Sequence, residues 1–180
     1  MVAEKTFIEG LLVIKPRVFE DERGYFFESF NAKLLEEAGL HAKFVQDNQS
    51  LSQKNVLRGM HFQAPPFAQG KLVRVIKGAA LDVVVDIRKG SPTYGKTFSI
   101  ELNEQNKTML WVPEGFAHGF CTLVDNTIFY YKCTNYYNKA SEGSIAWNDP
   151  DLNICWNVTD PVLSDKDRAG VLLKNFSSPF

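Results

Sequence analysis

The chain has 180 residues, a formal net charge of -1, and 44% hydrophobic and 13% aromatic residues. That length suits one domain with a sizeable core, and the balanced charge argues against a nucleic-acid binder, which carries a basic excess. No apolar run is long enough to cross a bilayer, and "MVAEKTFIEG" at the start has no signal-like apolar segment.

Cys121, Cys133 and Cys155 are odd in number, widely spaced and outside any CxxC pair. They read as small buried or half-buried hydrophobes of a reduced, cytoplasmic protein. In chain order, "DERGYFFESFN" (21–31) sets Arg23 and Glu28 among four aromatics. It reads either as a surface hairpin with a solvated charge pair or as an arginine-and-ring surface suited to phosphate and base recognition. "NAKLLEEAGL" (31–40) reads as a short helix capped by Asn31, with Leu34, Leu35 and Ala38 on one face and Gly39 at its end. "VQDNQS" (45–50) is polar and turn-like.

From there the reading is mostly strand. "VLRGMHFQ" (56–63) is one; residues 71–102 are dense in Val and Ile and broken at Gly78 and at Gly90-Ser91-Pro92. "TMLWVP" (108–113), "GFCTLV" (119–124) and "TIFYYKCT" (127–134) follow at regular spacing, which favours a β-sandwich or barrel. The end, residues 163–176, reads as partly helical, with Ser164 as its cap. Alternation puts Lys71, Val73 and Val75 on one face, and Asp82, Val84 and Asp86 on one face. Inward charges of this kind suit a barrel that holds an open, polar cavity.

The chemistry is concentrated in few residues. Of the three histidines, His41 reads as an ordinary loop residue. His61 is either a satisfied structural histidine or a general base, and the second role needs an orienting carboxylate and another acid–base group. "PEGFAHGF" (113–120) matches the turn-then-histidine pattern of cupins. Metal cupins pair it with His-x-His, whereas the corresponding place here reads "HFQ", so no metal is expected. His118 then reads as a buried histidine that holds the sheet. Only one of the adjacent Tyr130 and Tyr131 faces the interior. Neither GxxxxGK[ST] nor GxGxxG is present.

The blocks "FEDERGYFFESFN", "FVQDNQS", "VLRGMHFQ", "AQGKLVRV", "VVDIRKGSPTYGK", "WVPEGFAHGF", "YKCTNYY", "SEGSIAWND" and "LSDKD" occur in that order. Together they closely resemble the dTDP-4-dehydrorhamnose 3,5-epimerase family. The resemblance implies an all-β, cupin-type jelly-roll barrel with a few short helices at its periphery, including a short helical tail at about residues 163–180. It implies a single domain over residues 1–180 and a homodimer formed partly by strand exchange through an N-terminal arm of about residues 1–50. No metal or organic cofactor is implied. The implied substrate is dTDP-4-keto-6-deoxy-D-glucose, epimerised at carbons 3 and 5 for dTDP-L-rhamnose synthesis and so for cell-surface polysaccharide. By the same resemblance His61 is the general base, Asp167 its orienting carboxylate, Tyr131 the acid on the opposite ring face, and Lys71 the stabiliser of the carbon-4 oxyanion. Arg23, Glu28, Gln46, Asn48, Arg58, His118, Tyr137 and Glu142 fall in its nucleotide-sugar blocks. Arg23 and Arg58 would meet the pyrophosphate, and rings near Phe26 and Tyr137 the thymine. Asn157 departs from the proline of many members, in a loop. Arg58 and His61, three apart, belong on opposite faces of an ideal strand; Gly59 is expected to distort it so that both reach the ligand while Met60 and Phe62 pack outward. Single-carbon epimerases and 3,4-ketoisomerases of the same fold are the near alternatives; a metal oxygenase and a non-catalytic sugar-nucleotide binder are the distant ones.

Overall fold

The computed structural model describes residues 1–180, and its strands, numbered in chain order, form two main antiparallel sheets and a hairpin. One sheet has six strands in the order β1 (Val2–Lys5), β2 (Leu12–Lys15), β10 (Met109–Val112), β7 (Lys71–Lys77), β12 (Thr127–Cys133), β5 (Gln46–Ser52). The other has five, in the order β13 (Glu142–Ser144), β6 (Leu57–Gln63), β11 (Phe116–Thr122), β8 (Ala79–Asp86), β9 (Thr97–Asn103). The hairpin is β3 (Val18–Asp21) with β4 (Gly24–Phe27). This is the expected cupin-type, all-β architecture, built as two facing sheets rather than one closed barrel.

Three apolar layers hold it together. Between the sheets, Val13, Val73, Val75 and Phe129 of the larger sheet meet Val84, Phe116 and Phe120 of the smaller one. Phe120 and Phe129 stack with ring centroids 3.8 Å apart. Strand β8 is apolar at nearly every position because both its faces are covered. Its Leu81, Val83 and Val85 join Leu57, Met60 and Phe62 in a second core under Ile145, Leu152 and Trp156 of the C-terminal segment. On the outer face of the larger sheet, Ile14, Leu72 and Met109 are covered by Leu35 of α1 (Ala32–Glu37) and by Leu40 just past the helix. Burying each such side chain stabilises the fold by roughly 1.5–3 kcal/mol.

Helix α1 starts where expected: Asn31 Oδ1 accepts from the Leu34 amide at 3.2 Å, and Gly39, at φ +87°, turns the chain just past the end. Three expectations need correction. Residues 46–50 of the stretch read as turn-like are not a turn but most of β5, an edge strand whose inner side chains are polar because they face a polar cavity. The strand expected at 119–124 begins at Phe116, so His118 lies inside β11. The C-terminal tail is partly helical, with Ser164 capping one helical turn, α2 (Asp165–Arg168), as read, and a 3-10 turn at Leu173–Asn175, but it is otherwise irregular rather than a helical tail over residues 163–180. Apolar contact with the smaller sheet, not helical periodicity, orders it: Phe176 and Phe180 pack on Phe62. Cys121 and Cys133 are buried as expected, whereas Cys155 is exposed. No helix is long and apolar enough to cross a membrane.

Candidate active site

Strand β6 solves the spacing problem posed by Arg58 and His61. Across the β6–β11 pair, His118 is opposite His61 but Phe120 is opposite Arg58. Three steps along β6 therefore match two along β11, which is a β-bulge. Gly59 is the added residue, at φ +154°, and a Cβ there would lie 2.5 Å from Gly119 Cα. The bulge restores Arg58 and His61 to one face, and both line a cavity of about 350 Å³. Leu57, Met60 and Phe62 point the other way, outward from the cavity as expected, but into the second core rather than toward solvent.

The two sheets supply opposite walls. His61 and His118 come from the smaller sheet; Lys71, Tyr131 and Asn48 come from the larger one. Asp167, on α2, closes one end. Its Oδ1 lies 2.9 Å from His61 Nε2, although the ring nitrogen's axis is not aligned on that oxygen. The same oxygen accepts from the Gly59 amide at 3.1 Å, and Oδ2 accepts from Ser164 Oγ at 2.5 Å. Burial alone would raise the carboxyl's pKa, but His61, Ser164 and Gly59 outweigh it and hold Asp167 well below the usual carboxylate range. It is held as an anion beside the imidazole at neutral pH.

A second pair lies next to the first. His118 Nε2 is 2.9 and 3.0 Å from the two oxygens of Asp82, which is fully buried. Burial lowers the pKa of Lys71, whose amine forms no hydrogen bond or ion pair with the protein. Burial likewise pushes the Tyr131 phenol up to about 12, with negative charge at Cys133 and Glu142 adding to it and Arg58 opposing it. Tyr131 is thus a protonated phenol with a free hydroxyl facing the cavity. Tyr130 faces the other way and donates to Asp47 at 2.7 Å. Arg58 donates to Ser52 Oγ at 3.2 and 3.3 Å.

The remaining expected residues divide in two. Gln46, Tyr137 and Glu142 form a rim around the lining. Gln46 donates to Asn48 Oδ1 at 3.1 Å and accepts from the Tyr137 amide at 3.1 Å. Tyr137 Oη donates to Glu142 at 3.2 Å, and Glu142 also pairs with Lys166. Arg23 and Glu28 are not brought to the cavity of their own chain. Arg23 sits on the β3–β4 hairpin, 84% exposed in its side chain and bound to Asp21. Glu28 is exposed and accepts from Asn31 at 2.8 Å. His41 lies in an exposed loop, as read.

Sequence reasoning missed Ser164, Lys166 and Ser50 in the lining, and Asp82 as the partner of His118. Two signals were present. Ser164 stands three residues before Asp167 in a capping pattern, and Asp82 alternates inward with Val84. No group of three or more His, Cys, Asp or Glu side chains is placed to hold a metal ion.

Comparison with known proteins gives this arrangement its context. The family described as dTDP-4-dehydrorhamnose 3,5-epimerase matches residues 5–175. The protein of that name from Shigella flexneri is 56% identical, covering 92% of each chain. The crystal structure of the Bacillus anthracis enzyme of that name, with TDP and PPi bound, is 48% identical, with a TM-score of 0.93 over 95% of this chain and 98% of that one. A Legionella pneumophila epimerase in complex with dTDP-4-keto-L-rhamnose is 49% identical, with a TM-score of 0.92 over 97% of this chain and 94% of that one. The family match over residues 5–175 and relatives of about half identity along nearly the whole chain show that the chain belongs to the dTDP-4-dehydrorhamnose 3,5-epimerase family.

Proposed function

We propose that this cavity inverts carbons 3 and 5 of dTDP-4-keto-6-deoxy-D-glucose, giving dTDP-4-keto-L-rhamnose through enolate intermediates. One observation carries the reading: an imidazole–carboxylate pair and a partnerless phenol stand on opposite walls of one cavity. Inversion requires a proton to leave one face of the sugar ring and return to the other. A base and an acid on the same wall would restore the original centre.

His61 removes the proton next to the ketone, and anionic Asp167 stabilises the imidazolium that forms. Lys71 stabilises charge growing on the carbon-4 oxygen, in a water-poor setting where such an interaction is strong. Tyr131, protonated at working pH, returns a proton to carbon 5 from the far side. Arg58 and the Gln46–Asn48–Tyr137–Glu142 rim hold the nucleotide part, with His118 against the sugar. Two copies assemble, and the exposed hairpin carrying Arg23 serves the cavity of the second copy. Phe19, Tyr25 and Phe26 on that hairpin are at least half exposed in the single chain, which supports a protein cover there. The enzyme works in the cytoplasm without a metal or organic cofactor, and a reductase consumes its product on the route to rhamnose-containing cell-surface polysaccharide.

The test is proton exchange in heavy water with the nucleotide sugar, trapping product with the downstream reductase and locating label by NMR. Deuterium at both carbons with an L-rhamnose product is the expected result. Label at one carbon marks a single-centre epimerase, and binding without label marks a sugar-nucleotide binder.

A further inference from the structure

The Asp167 carboxylate uses its two oxygens differently. Oδ1 is shared by His61 Nε2, at 2.9 Å, and the Gly59 amide, at 3.1 Å. Oδ2 is taken by Ser164, whose hydroxyl donates at 2.5 Å and whose amide lies at 3.3 Å. The Ser164 hydroxyl also accepts from the Asp167 amide at 3.2 Å, closing a reciprocal capping box at the start of α2. Ser164 itself lines the cavity. The carboxylate is thereby locked about both of its torsions. It is anchored at the helix by one residue and at the bulge of β6 by Gly59, with one oxygen edge left for the imidazole.

We infer that Ser164 is a positioning residue for the epimerisation: it holds Oδ2 of Asp167 so that Oδ1 faces His61 and the carboxylate's charge is divided between two partners. The inference rests on His61 being the base. It goes beyond helix capping because the serine touches the functional carboxylate with its hydroxyl. An acid at this position of a helix needs no such anchor to be an anion, and a cap needs no acid to be a cap.

Removing the hydroxyl has a defined direction. Oδ2 loses its short hydroxyl donor and keeps only the longer Ser164 amide, so more negative charge remains to attract the proton on His61, and the imidazolium is held more strongly. The base then stays protonated to higher pH, so the acid limb of the pH profile moves up. The other charged or titratable groups facing the pair are Arg58 on β6, Lys71 on β7, His118 on β11 with Asp82 behind it, Tyr131 on β12, and Lys166 on α2 with its Glu142 partner on β13. Substitution of Ser164 alters none of them.

The experiment uses the full chain as Ser164→Ala, Ser164→Gly and Ser164→Thr. Three histidines make a labelled imidazole titration by NMR readable, with His61→Gln assigning its resonance. In parallel, the pH profile of kcat/KM is taken from the exchange assay. Expected for Ala and Gly alike are an upward shift of about half a unit or more in the His61 midpoint and in the acid limb, and a plateau lowered about tenfold. Thr, which keeps the hydroxyl, restores both. Glycine caps a helix nearly as well as serine, whereas alanine does not. A purely capping role therefore makes Ala unstable, spares Gly, and leaves the midpoint and limb of Gly at wild-type values, which overturns the proposal. If the His61 midpoint moves while the acid limb stays, Ser164 acts on the pair as inferred and His61 is not the base.

Discussion

Two imidazoles stand as cross-strand neighbours on one wall of the cavity, His61 and His118, and each has its own carboxylate. Their surroundings differ in access. His118 is buried with a fully buried partner, whereas His61 keeps part of its ring open to the cavity. His61→Ala is therefore expected to abolish deuterium incorporation at both carbons while circular dichroism and melting stay close to wild type; substantial residual exchange rejects it as the base. Tyr131→Phe removes the phenol hydroxyl and leaves the ring. It should lower exchange at carbon 5 well below that at carbon 3, and equal losses would make the phenol a general binder. A third expectation concerns acid. Buried Asp86 accepts from Arg88 at 2.8 and 2.9 Å and from Ser91 and Thr93 at 2.7 Å each. Burial opposes these bonds, yet they bring its pKa from 3.8 to about 2. A pKa lowered by folding gives stability that is complete above the unfolded value and lost as pH falls through the folded one. Between about pH 4 and pH 2 the Asp86 share, about 2 kcal/mol, disappears. Asp86→Asn should be less stable at pH 6 yet lose less stability over that range, measured by urea unfolding at each pH.

Strands β6 and β11 approach each other closely because both carry glycine at the contact. A Cβ on Gly119 would meet Met60 Sδ at 2.7 Å and the Gly59 Cα and Arg58 carbonyl oxygen at 2.9 Å each. Two of those three atoms are backbone, so the strands themselves must separate. Gly119→Ala is expected to cost roughly 1–3 kcal/mol in chemical denaturation and to reduce exchange activity by moving His118 and Arg58; wild-type stability would contradict the close packing. The same strand pair marks the limit of sequence reading. Period-two alternation assigns Arg58 and His61 to opposite faces, and only Gly59 hints that the rule fails there. The extra residue becomes visible once β11 is laid beside β6. Strand β5 escaped for another reason. A strand that faces water on one side and a polar cavity on the other has no apolar alternation to betray it. The apolar strands β7, β8 and β12 were legible because the core imposes their pattern, and α1 because its cap and terminal glycine are local signals.

For the molecule as a whole, the site residues from β6, β7, β11, β12 and α2 converge in one chain, while Arg23 and Glu28 remain outside. Their placement was not legible from sequence, which shows residue type but not whose cavity an exposed hairpin serves. If the hairpin of one copy completes the cavity of another, mixed dimers should reveal it. His61→Ala and Arg23→Ala chains, each weak alone, are mixed under conditions that exchange subunits. One site in each mixed dimer then has both an intact His61 and an intact Arg23 from the other copy. About a quarter of wild-type activity should return; activity no greater than the sum of the separate variants would make each site self-contained. The cavity walls span residues 46–144, but the carboxylate beside His61 belongs to residue 167, in the segment that wraps the outside of the smaller sheet. On a growing chain, synthesised at about 5–20 residues per second, the walls are complete roughly one to five seconds before Asp167 is added. A nascent or shortened chain that stops in between carries His61 and Tyr131 but no carboxylate partner for the imidazole. Formation of the walls and completion of the imidazole–carboxylate pair are thus separate events in the life of the chain, the second waiting on the segment that carries Asp167.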